Sequence, residues 1–168
     1  MWHYFFSHFV YHLIRWFPKH AANRIIILVL LMVIMLGLLV AQIYVLTLDH
    51  SKRWCAQPLF DFLIVSIIET LFMIGFSFLF MIMSPVPDLV KKVYHVFGFI
   101  NLVIGLASVI ITSNSGDCSN STEVLHILSV ILAVFSACAI GFYTILLPFW
   151  IMNRIWPSVQ TFKNIHEI

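Results

Sequence analysis

Leu59–Met83 is an uninterrupted apolar run with one acid, Glu69, near its middle and another, Asp61, near its start. The run is too long for a buried strand. As a helix, about 25 residues reach roughly 37 Å, against a bilayer hydrocarbon core of roughly 30 Å. An ionisable group at that depth is costly in lipid, so Glu69 must face protein or water. The class of the molecule follows from this segment, and composition agrees. Hydrophobic residues make up 62% of the 168 and charged residues 10%, too few charges to solubilise a water-borne domain.

Three further runs have spanning length: Ile25–Thr47, Val93–Thr112 and Val124–Met152. Gln42 lies toward the far end of the first. Ser84-Pro85-Val86-Pro87-Asp88 closes the second, since its prolines cannot continue a helix. Pro148 lies inside the fourth, where a kink is expected. Short polar loops connect the runs, and Asn153–Ile168 forms a tail.

Met1–His20 precedes the spans. On a helical wheel Trp2, Phe5, Phe6, Phe9, Val10, Leu13 and Phe17 share one broad face, opposite Tyr4, His8, Tyr11, His12 and Arg15. That spacing predicts an amphipathic helix lying in the headgroup plane, ended by Pro18. A mitochondrial presequence is the competing reading, because the first acid is Asp49; an aromatic and His-rich segment is a poor match to Ser- and Arg-rich presequences. The expected architecture is an all-α integral membrane protein: a four-helix transmembrane bundle preceded by an interfacial helix.

Charge bias sets the expected orientation. Both termini and the Ser84–Lys92 loop share one side, which holds Arg15, Lys19, Arg24, Lys91, Lys92, Arg154 and Lys163; the other side holds Lys52 and Arg53. This predicts cytoplasmic termini, in the plasma membrane or secretory pathway. In a mitochondrial inner membrane, the alternative, the matrix would replace the cytoplasm. Asn120-Ser121-Thr122 is a glycosylation acceptor pattern in a loop assigned to the outside. Cys55 and Cys118 are the two cysteines in the outer loops, so a bridge between them is expected in an oxidising compartment. Cys138 falls within the fourth span.

Two spans carry rows of small residues that let helices approach closely. Ser129, Ala133, Ala137 and Gly141 form a ridge on the fourth, and Gly98, Asn101, Gly105 and Ser108 a stripe on the third. Contact within the bundle is the plainer reading, and contact with another protein the sharper one. Glu69 and Asn101 fall at nearly the same depth when counted from the outer ends of their spans, which predicts a hydrogen bond between them. His8 and His12 stand four apart on one helix face but lack a third ligand nearby, so no metal site is assigned.

No nucleophile elbow, phosphate loop or zinc-protease motif is present, and no catalytic residue or cofactor is assigned. Nothing marks a nucleic-acid-binding surface. Cys55-Ala-Gln-Pro58 before the second span and Gly116-Asp117-Cys118 before the fourth resemble the transmembrane protein 272-like group, over approximately Ile25–Trp150. That resemblance implies a small four-span protein with cysteine-containing outer loops and no known activity. The expected role is therefore a non-enzymatic accessory or structural subunit of a larger membrane assembly, such as a channel or receptor, with lipid and other membrane subunits as partners. A homo-oligomeric pore using Glu69 and a mitochondrial inner-membrane complex subunit are the alternatives.

Overall fold

A computed structural model describes residues 1–16, 21–52, 55, 57–83, 86–116 and 118–155. Pro18, Lys19, Arg53, Ser84-Pro85, Asp117 and the tail after Ile155, including Lys163, lie outside the described residues. The helices are α1 (Trp2–Trp16), α2 (Ala21–Thr47), α3 (Leu59–Ile82), α4 (Asp88–Ser113), α5 (Cys118–Ser121) and α6 (Glu123–Ile155), with a 3₁₀ turn at Asp49–Lys52. Four of them, α2, α3, α4 and α6, are long and apolar enough to cross a membrane. The chain is an integral membrane protein, all-α, with four spans. Its exposed surface is rich in Ile, Leu, Val and Phe, as lipid contact requires.

Helices α4 and α6 pack along one another, and α2 packs on α3. The space between α3, α4 and α6 is occupied by α1. This amphipathic helix forms over Trp2–Trp16, but it does not simply lie on the headgroups. Met1, Trp2, His3, Ser7 and Val10 are buried, and the helix contacts all three spans. Its start lies at the level of Glu69 and Gly105, near mid-span, and it runs toward the end of the bundle where Tyr11 meets Phe80. At about 22 Å, it fills part of the bundle's depth and crosses none of it completely.

The small residues of α4 explain how α1 fits. A Cβ placed on Gly98 would lie 2.6 Å from the Tyr4 ring, and one on Gly105 would lie 2.7 Å from the Met1 backbone nitrogen. The stripe is thus a seat for α1. Tyr4 stacks on Tyr94 with centroids 4.6 Å apart. Tyr94 in turn meets Phe76 and Phe80 edge-on. These aromatic contacts hold the helix at the end opposite the disulfide.

The ridge on α6 divides. Ala133 is buried and Ser129 half-buried, but Ala137 and Gly141 are exposed, and a Cβ on Gly141 would meet nothing within 4 Å. The buried face of α6 instead passes through Leu125, Leu132, Ser136 and Ala139. A strict four-residue row drifts around a helix of 3.6 residues per turn, so it cannot stay on one interface. Contact within the bundle, the plainer reading, therefore holds for Ser129 and Ala133 and not for Ala137 and Gly141.

Cys55 and Cys118 form a disulfide, with Cα atoms 5.4 Å apart and a sequence separation of 63. It ties the chain just before α3 to the start of α5, and Cys118 is fully buried beside Leu59, Leu63 and Leu125. Asn120 is exposed on α5.

Two predictions follow from this packing. Gly98→Ala and Gly105→Ala should each destabilise the protein by about 1–3 kcal/mol through overpacking, while Gly141→Ala should not; thermal unfolding in detergent, with proteolysis of α1 as a local readout, measures the difference. Replacing Cys55 by Ser should remove about 4 kcal/mol in the chain-entropy account, measured by denaturant titration.

Candidate functional site: an intramembrane polar cluster

Several buried polar side chains converge on the start of α1. His3 is 2% exposed and Glu69 6%. His3 Nδ1 lies 3.1 Å from Glu69 Oε2, out of line for a hydrogen bond. On its other edge, His3 Nε2 is 3.1 Å from Thr70 Oγ1. Thr70 is also 2.9 Å from Gln42 Oε1 and 2.8 Å from the Ser66 carbonyl. Gln42 Nε2 donates to Ser66 Oγ at 3.1 Å. The cluster therefore joins α1, α2 and α3 through one threonine.

Proton count fixes the tautomer. The Thr70 hydroxyl has one hydrogen, and both the Gln42 and Ser66 partners are carbonyl oxygens that only accept. The hydrogen between Thr70 and His3 must then come from Nε2 of the imidazole. His3 Nδ1 and the Glu69 carboxyl group are then the facing atoms not committed to another partner in the protein. A second set of bonds anchors α1 one turn further on. Ser7 Oγ donates to the His3 carbonyl at 3.0 Å and lies 3.1 Å from the Tyr94 hydroxyl. The Tyr94 hydroxyl donates to the Tyr4 carbonyl at 2.9 Å.

Of the residues singled out in the sequence, Glu69 and Gln42 enter this cluster. Asn101 is fully buried on α4 beside His3, but neither of its amide atoms has a hydrogen-bond partner. The predicted Glu69–Asn101 bond is therefore absent. The physical reason is α1, which inserts between the two spans and presents His3 to the acid. Asp61 is exposed in the first turn of α3, away from the cluster. His3, Ser7, Ser66, Thr70 and Tyr94 were not singled out. His3 and Ser7 stand four apart and share a helix face, which was the available signal.

At the other end of α1, the Nε2 atoms of His8 and His12 are 3.1 Å apart, and Tyr4 and His95 make a 3.5 Å contact. Among the described residues, no three His, Cys, Asp or Glu side chains are placed to hold a metal ion. No protein-family model matches the chain, and no curated protein or solved structure matches it.

The cluster and Asn101 respond differently to removal of polarity. Thr70→Val leaves His3 Nε2 and Gln42 Oε1 without partners and should cost about 1–3 kcal/mol. Asn101→Leu removes amide atoms that bond to nothing and should cost less than Thr70→Val. Unfolding of both variants in the same detergent provides the comparison.

Proposed function

We propose that this chain is a non-enzymatic four-span subunit with an accessory or structural role in a larger membrane assembly. The observation that carries this reading is that α1 occupies the interior between α3, α4 and α6. A bundle filled by its own chain is built as a solid body, and its outward helix faces are what it offers to others. The exposed part of the α6 ridge, at Ala137 and Gly141, provides one such face. Small exposed residues there permit the close backbone approach that helices use in lipid, where apolar area alone does not drive association.

A homo-oligomeric pore lined by Glu69 needs that acid on a surface shared between copies. Glu69 is instead turned inward to His3 of its own chain, which weighs against this reading. The surplus of basic residues on the terminal side supports cytoplasmic termini. The Cys55–Cys118 bridge and the exposed Asn120 fit a secretory-pathway membrane. The resemblance to the transmembrane protein 272-like group supports the same topology and adds no activity.

Native purification followed by mass spectrometry tests the role. The wild type should carry at least one stoichiometric membrane partner. Gly141→Leu should lose it, while Val134→Leu, off the ridge, should retain it. Purification free of other subunits, combined with an ion current that Glu69→Gln abolishes, would refute the accessory role. Asn120→Gln should abolish a glycosidase-sensitive mass shift; a wild-type protein with no such shift would favour the mitochondrial alternative.

A further inference from the structure

Helix α1 stops short of the disulfide-tied end of the bundle, leaving a cavity of about 30 Å³ beyond its tip. This is room for one or two water molecules. The wall carries hydroxyls from three spans: Ser66 of α3, Ser108 of α4, and Ser129 and Ser136 of α6, with Glu69 and His3 also lining it. Glu69 Oε1 is buried and has no partner in the protein. A carboxyl oxygen left without a hydrogen bond in an apolar interior is costly, and the cavity beside it has the room and the hydroxyl lining to hold water.

We propose that Glu69 and His3 form a proton-binding site, served by water from the disulfide-tied end of the bundle and closed at the other end by α1. Thr70 fixes the hydrogen on Nε2, so within the pair Nδ1 and the carboxyl group gain or lose the proton. Imidazole is the side chain whose charge changes nearest neutral pH. Hydronium in the cavity transfers a proton to the carboxylate or to Nδ1 and leaves as water; only O–H and N–H bonds change. Facing the pair, α2 offers Gln42, α4 offers Asn101 and α6 offers Ser129 and Ser136, none of them ionisable. The Met1 amino group, on α1 itself, faces Glu69 and is the ionisable neighbour of the pair. Because His3 arrives on α1, occupancy of the site is linked to the seating of that helix.

The test uses the full-length protein in lipid bilayers. The Glu69 carboxyl band is followed by infrared spectroscopy and the His3 ring by nitrogen NMR, from about pH 5 to pH 8. Two groups sharing one site should titrate as a coupled pair. Glu69→Gln should then move the His3 midpoint, and His3→Gln the Glu69 midpoint, each by about one pH unit or more. The Glu69 band should shift in heavy water, and Ser129→Leu, which fills part of the cavity, should slow that exchange severalfold. Midpoints unchanged by loss of the other group would overturn the proposal, as would a carboxyl band insensitive to heavy water. Dependence of the band on sodium at constant pH would also overturn it, in favour of a metal-cation site. Should either substitution prevent assembly, the wild type decides through its ring and carboxyl signals. Each must show the two steps of one coupled titration; independent single-step curves contradict the site.

Discussion

A carboxyl group halfway along an apolar span must be given a polar partner inside the protein, and here the partner comes on a separate helix. Glu69 faces the interior, His3 meets it at 3.1 Å, and α1 is drawn to mid-depth by that pairing. Much of the packing then follows. The glycines of α4 are spaced to admit α1, the α3–α4 interface opens to hold it, and Tyr94 locks its next turn through Ser7 and Tyr4. Without α1, Glu69 would be a buried acid with an unfilled space beside it.

The energetic logic differs from that of a soluble bundle. Apolar side chains gain little by leaving lipid for protein, so small and polar residues pack inward beside large apolar ones such as Met35, Leu59 and Met73. The N-terminal helix shows this directly. Ser7 is fully buried and His3 nearly so, alongside Trp2 and Val10, whereas Phe9 is 48% exposed. Each polar contact is worth little on its own. Their joint effect is to fix depth and register, because a turn's slip of α1 would separate His3 from Glu69 and Thr70 and push Tyr4 off Gly98.

The spans were legible because length and apolarity alone identify them; α3 begins at Leu59, where the run begins. The disulfide was legible because Cys55 and Cys118 are the cysteines of the two loops at one end of the bundle. The location of α1 was not. Hydrophobic periodicity marks Trp2 and Val10 for burial, and both are buried, but it does not say whether headgroups or the helices α3, α4 and α6 bury them. The Glu69–Asn101 pairing failed for a related reason. Depth counting placed the two residues correctly along the membrane normal, but it could not reveal a helix between them. The α4 stripe held the missing information, since small residues over several turns imply a close neighbour, and α1 proved to be that neighbour.

The central claim is that α1 sits inside the bundle with His3 against Glu69. Solid-state NMR in lipid bilayers measures this most directly, through magnetisation transfer between a nitrogen-labelled His3 ring and the carbon-labelled Glu69 carboxyl. The 3.1 Å contact predicts strong transfer, together with a His3 ring shielded from bulk water. Absence of transfer, with a His3 ring that exchanges freely with solvent, would place α1 at the membrane surface and contradict the account.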